Sequence, residues 1–206
     1  MLDAKGFDSW AYEYDEDVRT TDERGDYPFA GYADVLARIE GIVLADGPCD
    51  VLDAGFGTAV LTKRLYDGGC RIWGQDYSKT MIQIAREKMP GAKLYGGDLS
   101  VSLASPILAQ KYDFAIATYA LHHFTLEQKC VLIRRLLLCL KPGGTVLLGD
   151  IAFADAADEA ACRARFADKW DDDEIYMHYD EMKQFFPSMT YEKISHCCGL
   201  FTLKNI

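Results

Sequence analysis

Apolar and polar positions along the chain change period in a regular order. After Tyr27-Pro28, the segment Phe29–Ala45 carries Tyr32, Val35, Leu36, Ile39 and Val43 at helical spacing, and Gly47-Pro48 stops it. Asp50–Ala54 is then short, mostly apolar and followed by glycines, which predicts a buried strand. Thr58–Tyr66 predicts a helix closed by Gly68-Gly69, and Arg71–Asp76 a second strand. Ser78 can cap a helix over Lys79–Met89 that Pro90-Gly91 ends. Ala92–Gly96 and Tyr112–Tyr119 predict strands, Leu126–Leu140 a helix finished by Lys141-Pro-Gly-Gly144, and Thr145–Asp150 a fifth strand. Such alternation implies an α/β fold, a parallel sheet with helices on both faces. The tail breaks the pattern. Tyr179–Phe186 reads as a helix, and Thr190–Cys197 and Leu200–Lys204 as strands joined by a tight turn at Gly199. A mostly parallel, seven-stranded sheet ending in an antiparallel hairpin is expected.

Composition adds limits. A chain of 206 residues, half of them apolar, is long enough for one domain, and no linker or repeat divides it. Within residues 1–206 the pattern separates an N-terminal lid and helix (1–46), a ligand-binding core (47–150), and an insert with the C-terminal helix and hairpin (151–206). The most apolar stretch, Val131–Leu140, is interrupted by Arg134 and Arg135 and is too short to span a bilayer. The first residues carry no apolar signal-peptide core, so a cytoplasmic location is expected. Net charge is −10, and no Lys/Arg stripe concentrates positive charge. Nucleic acid and membrane partners are therefore disfavoured against a small molecule, while monomer and homodimer both remain open. Acidic residues crowd Glu13–Asp26 and Asp168–Glu174, where solvated loops and helix ends are the plainer reading. Seven cysteines include no C-x2-C pair, so free thiols in a reducing compartment are expected and no metal site. Cys197 and Cys198, if on a strand, would point to opposite faces.

In sheets of this kind ligands bind outside the carboxyl ends of the strands. The first strand delivers Asp53-Ala-Gly55-Phe-Gly57-Thr-Ala59 to that edge. Glycines at 55 and 57 allow a tight turn and close backbone approach, but a G-x-G-x-x-G fingerprint would need glycine where Val60 stands. Asp76 ends the second strand, 21 residues after Gly55, where a carboxylate can accept both hydroxyls of a ribose. Asp98 follows the third strand and can accept from an adenine amino group. Either aspartate alone is equally a turn or cap residue. Together with the glycine turn they describe a nucleoside site without a phosphate clamp.

Val51-Leu-Asp-Ala-Gly-Phe-Gly-Thr58, Gly74-Gln-Asp76-Tyr-Ser78 with Met81 and Ile82, Gly97-Asp98-Leu99, Tyr112-Asp113 and Leu140-Lys-Pro-Gly-Gly144 resemble the successive motifs of class I S-adenosylmethionine methyltransferases. Phe7–Asp15 and Asp150–Asp155 extend the likeness, which is nearest to the uncharacterised YrrT-like bacterial members. The resemblance implies a Rossmann-like methyltransferase fold and S-adenosylmethionine as cofactor. It implies that Gly55 and Gly57 hold the methionine moiety while Asp53 orders that turn from behind. Asp76 would bind ribose, Tyr77 and Met81 would flank adenine, and Asp98 with the Leu99 backbone would read its edge. Thr118, Tyr119 and Tyr14 would lie near the methionine end. Ala59 departs from the family, where many members have a third glycine, and its methyl should shift the following helix slightly.

The acceptor side is sparsely marked. His122 and His123 follow the fourth strand on the same edge, and His123 is the candidate general base, with Tyr14 a second catalytic candidate. Each histidine alone is more readily explained by packing or capping. Tyr12, Tyr14, Tyr176 and His178 could contribute to a lid over the site, or simply pack. Methyl transfer to a small-molecule acceptor needs no obligatory base, since placing the acceptor in line supplies much of the acceleration. A non-enzymatic S-adenosylmethionine-binding regulator and an NAD-dependent oxidoreductase are the rival readings, as is transfer of another group such as aminopropyl. Val60 and Asp98 speak against the oxidoreductase.

Overall fold

A computed structural model describes residues 14–205. Helix α1 (Tyr14–Glu23) and helix α2 (Tyr32–Leu44) precede β1 (Asp50–Ala54), after which α3 (Val60–Asp67), β2 (Arg71–Asp76), α4 (Lys79–Lys88) and β3 (Lys93–Gly96) alternate. The second half contains α5 (Ser105–Leu108), β4 (Tyr112–Thr118), a 3-10 turn (Leu121–His123), α6 (Leu126–Leu138) and β5 (Leu140–Phe153). It closes with α7 (Ala156–Arg165), β6 (Met177–His178), α8 (Tyr179–Phe185), β7 (Thr190–Lys193) and β8 (Cys198–Lys204).

The strands form one sheet in the order β3-β2-β1-β4-β5-β8-β7, with β6 beside the far end of β5. β1 pairs in parallel with β2 on one side (Val51 opposite Ile72) and β4 on the other (Val51 opposite Phe114). The winding therefore reverses at β1, which opens a crevice at its carboxyl end. Alternate side chains leave the sheet in opposite directions. Val51, Ile116 and Leu147 enter the layer packed under α2, α3 and α4 with Leu36, Ile39 and Leu65. Leu52, Ala115, Val146 and Leu148 enter the other layer, with Ile107, Leu132, Leu136 and Met182 from α5, α6 and α8. Ser78 caps α4 as expected, its hydroxyl accepting from the Met81 N–H at 3.1 Å. No helix among the described residues is long and apolar enough to cross a membrane.

Three sequence expectations change. The sheet has eight strands rather than seven, because β5 runs on to Phe153 and the returning insert adds Met177 and His178 beside Ala152 and Phe153. Lys141-Pro-Gly-Gly144 lies inside β5 rather than after α6. There Gly144 lets three carbonyls approach within 3.0 Å of where a Cβ would sit. The C-terminal turn falls at 194–197, not at Gly199, with the Ser195 hydroxyl accepting from the Cys197 and Cys198 N–H groups. Cys197 thus sits in a turn, and its thiol and that of Cys198 both approach the Ala30 carbonyl instead of facing apart.

Gly199 belongs to β8, opposite Asp150 and Lys193, and the Tyr191 ring covers its face so closely that a Cβ would lie 2.4 Å from a ring carbon. Gly199→Ala should destabilise the protein by about 1–3 kcal/mol through overpacking. Thermal unfolding should read this as a drop of roughly 2–4 °C per kcal/mol. An unchanged midpoint would show that the Tyr191 ring yields without cost.

Candidate active site

Beyond Ala54 the chain turns sharply, with Gly55 at φ +87 and Gly57 at φ +52. A side chain at Gly55 would meet Ala120 at 2.7 Å, whereas a Cβ at Gly57 would find nothing within 4 Å. Close backbone packing therefore requires the first glycine, and the second faces open space. Ala59, where the family resemblance leads one to look for glycine, adopts φ +65 and is buried, and α3 begins directly after it. Asp76 ties this turn to the end of β2. Its carboxylate accepts the Gly57 N–H and the Ser78 N–H, each at 2.9 Å. The Thr58 hydroxyl donates to Asp15 of α1 at 2.5 Å, which fastens the N-terminal helix to the same loop.

Asp53 stands behind the turn and is fully buried. One oxygen accepts the Thr62 hydroxyl at 2.6 Å, and the other has no hydrogen-bond partner among the described residues. Burial pushes its carboxyl up to about 7; the Thr62 hydrogen bond opposes this and the charge on Asp76 adds to it.

In front of the turn lies a cavity of about 730 Å³, within the range of small-ligand sites. Gly55, Gly57, Asp76, Tyr77, Met81, Asp98, Leu99, Thr118 and Tyr119 all line it. Met81 and Leu99 are buried and Tyr77 is half exposed, so an apolar floor faces a movable aromatic edge. Asp98 also holds its own turn, accepting the N–H and hydroxyl of Ser100. Tyr119, at φ +49, packs against Tyr32 and Phe29, which makes an aromatic side wall.

The Tyr14 side chain and residues 1–13, which include Phe7, Trp10 and Tyr12, lie outside the described residues. The rest of the expected lid is docked helix, with Val18 buried and Asp22 accepting from the N–H groups of Gly31 and Ala33. Tyr176 and His178 pack away from the cavity. Tyr176 bonds Tyr27 and Glu174 and meets Phe153 and Trp170, while His178 pairs with Glu159.

At the other end of the cavity the tertiary structure assembles a cluster of which the sequence pattern singled out only the two histidines. His122 and His123 come from the turn after β4, Asp150 from β5, and Glu174 from the loop before β6. His122 is buried, with Nδ1 2.6 Å from Asp150 and Nε2 3.5 Å from Glu174. Asp150 also accepts the Leu121 and Ile151 N–H groups. Burial opposes charge on His122, but the Asp150 carboxylate outweighs it and holds the imidazole above its ordinary value. Burial raises Glu174, which lines the cavity and so departs from the solvated-loop reading of Asp168–Glu174. His123 sits beside His122 with ring centroids 4.1 Å apart, and burial together with the His122 charge pushes it down to about 3. It is therefore neutral near pH 7. Lys129 closes the back of the cluster, its ammonium donating to the Phe124 and Ile175 carbonyls.

Comparison with known proteins agrees with this architecture. A family model described as a methyltransferase domain matches residues 51–144. An uncharacterised methyltransferase of Bacillus cereus (strain ATCC 10987) is 32% identical over 203 residues, 92% of each chain. The chain belongs to the class I S-adenosylmethionine-dependent methyltransferases.

The uncharacterised methyltransferase YrrT of Halobacillus halophilus is 29% identical over 90% of this methyltransferase and 87% of its own length. A relative from Oceanobacillus iheyensis is 34% identical over 71% of the chain, which spans 66% of that relative. Among solved structures, magnesium protoporphyrin IX methyltransferase of Synechocystis PCC 6803 with bound S-adenosylhomocysteine has the same fold. Its TM-score is 0.69 at 16% identity, covering 86% of this chain and 85% of that one. The methyltransferase's own residues suit a cationic nucleoside. Open space faces Gly57, and the buried Asp53 oxygen without a partner favours positive charge nearby.

Asp53 also has a measurable cost. Because its carboxyl is raised in the folded protein, the stability it contributes is present below the ordinary aspartate range and is lost as pH rises through about 7. Asp53→Asn cannot ionise. The variant should gain on wild type as pH rises, by roughly 2–4 kcal/mol between about pH 4 and pH 8. Urea denaturation at both pH values measures this, and a difference that does not change with pH would contradict it.

Proposed function

We propose that this methyltransferase transfers the methyl group of S-adenosylmethionine to a small-molecule acceptor by SN2 displacement, releasing S-adenosylhomocysteine. The observation that carries the reading is convergence: a glycine turn and two carboxylates from three successive strand ends line one cavity. Backbone at Gly55 and Gly57 holds the methionine moiety, with Thr118 and Tyr119 alongside. Asp76 accepts the ribose hydroxyls, which its two oxygens can do while bonding Gly57 and Ser78, since each accepts more than one hydrogen bond. Tyr77 and Met81 flank the adenine, and Asp98 with the Leu99 backbone reads its edge. S-adenosylmethionine supplies a methyl group already activated on a sulfonium.

The acceptor lies toward His122 and His123. His123, neutral in its buried setting, accepts a hydrogen bond from the acceptor's nucleophilic atom and keeps it in line. Tyr14 closes the site from the N-terminal segment. A net charge of −10 and the acidic cavity wall at Asp171, Asp173 and Glu174 favour a small acceptor over a polyanion. Seven free cysteines fit a reducing cytoplasm.

S-adenosylhomocysteine should bind in the micromolar range, on the order of −8 kcal/mol. Asp76→Ala should weaken this by about 1.5–3 kcal/mol, the range for a hydrogen bond to a charged group. The variant should also unfold at lower temperature, because Asp76 anchors the turn as well as the ligand. Calorimetry without heat from wild type would overturn the cofactor assignment, and normal affinity in the variant would overturn the ribose role of Asp76. Hydrogen exchange tests Tyr14: the N-terminal segment should slow on ligand binding in wild type and not in Tyr14→Ala.

A further inference from the structure

We infer that His122, His123 and Glu174 form a binding site for one divalent transition-metal ion in the acceptor wall of the cavity. Their ligating atoms lie within 4.8 Å of one another, and His122 Nε2 is already 3.5 Å from Glu174 Oε1. Ligands on one such ion stand roughly 3–3.5 Å apart, given metal–nitrogen bonds of about 2.1 Å. Small side-chain rotations close the difference. Two imidazoles and one carboxylate without a thiolate select manganese, iron, cobalt or zinc over calcium or a soft ion.

The surroundings supply a second, independent observation. Asp150 lies 2.6 Å from His122 Nδ1 and is itself fixed by two backbone N–H groups. That arrangement puts the Nδ1 proton toward Asp150 and leaves Nε2 as the electron-pair donor, as carboxylates do for metal-binding histidines. In the ion-free protein a proton on Nε2 meets the Glu174 carboxylate 3.5 Å away, and a divalent ion takes that place by displacing the proton to solvent. Asp171 and Asp173 line the same cavity and favour entry of a cation. Three protein ligands leave coordination positions open toward the cavity. The acceptor class this fits is a small molecule with oxygen donors; with the ion bound, the His123 lone pair goes to the ion, which then orients the acceptor in place of the direct His123 hydrogen bond. That consequence rests on the methyl-transfer reading above, whereas ion binding does not.

The test uses the full chain, stripped with a chelator and titrated with cobalt(II) and zinc(II). Calorimetry and equilibrium dialysis should find one ion per chain, and cobalt should give the visible absorption of nitrogen and oxygen ligands. Glu174→Gln and His123→Ala should weaken binding at least about 10-fold, and Asp150→Asn roughly 10–100-fold by releasing the His122 ring. Glu174→Gln should keep the far-UV circular dichroism and the cooperative thermal unfolding of wild type, which shows that the variant is folded. No uptake by wild type, or uptake that the substitutions do not change, would overturn the site. Retained S-adenosylhomocysteine binding in that case would leave the methyltransferase reading standing.

Discussion

Asp50–Ala54 is hydrogen-bonded on both edges and buried on both faces, so the chain cannot expose or bend its backbone until it passes Ala54. The sharp turn at Gly55 and Gly57 follows from that burial, and so does its exposure at the carboxyl edge of the sheet. Because β2 and β4 run parallel to β1, their ends arrive at the same edge, carrying Asp76 on one side and Thr118 with Tyr119 on the other. Parallel pairing thus collects side chains distant in sequence without any special contact to recruit them. Asp76 then stiffens the junction by accepting backbone N–H groups from the glycine turn after β1 and from the segment that leads into α4.

The two ends of the cavity handle charge differently. Behind the glycine turn, Asp53 has one hydrogen-bonded oxygen and one without a partner, so the fold stores an electrostatic cost where a cationic ligand would relieve it. At the histidine end, Asp150 is satisfied by two N–H groups and His122, and its charge stays in place at full burial. His122 and His123 are chain neighbours, yet the Asp150 carboxylate raises the first against its burial, while burial and the charge on His122 lower the second. Adjacent residues of one type acquire opposite properties from partners that belong to other strands and loops.

The glycine-turn end of the cavity was legible from residues because its signals are local. Glycine spacing, an aspartate at a strand end and the return of apolar runs are properties of short segments, and Arg71–Asp76 matches its expected bounds. Misreadings gather where tertiary pairing overrides a local signal. Gly199 looked like a turn former, yet it is a strand residue whose small size admits the Tyr191 ring. Lys141-Pro-Gly-Gly144 looked like a helix stop, yet it is drawn into β5 through pairing with β4, across a register shift between Tyr112 and Phe114. Glu174 looked like part of a solvated acidic run, yet the loop before β6 turns it inward to His122.

The sequence by itself determined the α/β alternation, the sheet edge at which the glycine turn lies and most of the residues that line the cavity there. Each depends on periodicity and chain direction, which repeat within a few residues. Only the tertiary structure decided that His122 rather than His123 meets Asp150, that Glu174 joins them, and that an eighth strand forms beside the end of β5. Those contacts join segments 25 to 52 residues apart (152 to 177, 122 to 150 and 122 to 174), and no local pattern encodes which of several acidic residues will be buried beside which histidine. Long-range packing makes that choice, because a buried charge persists only where the surrounding fold supplies its partners.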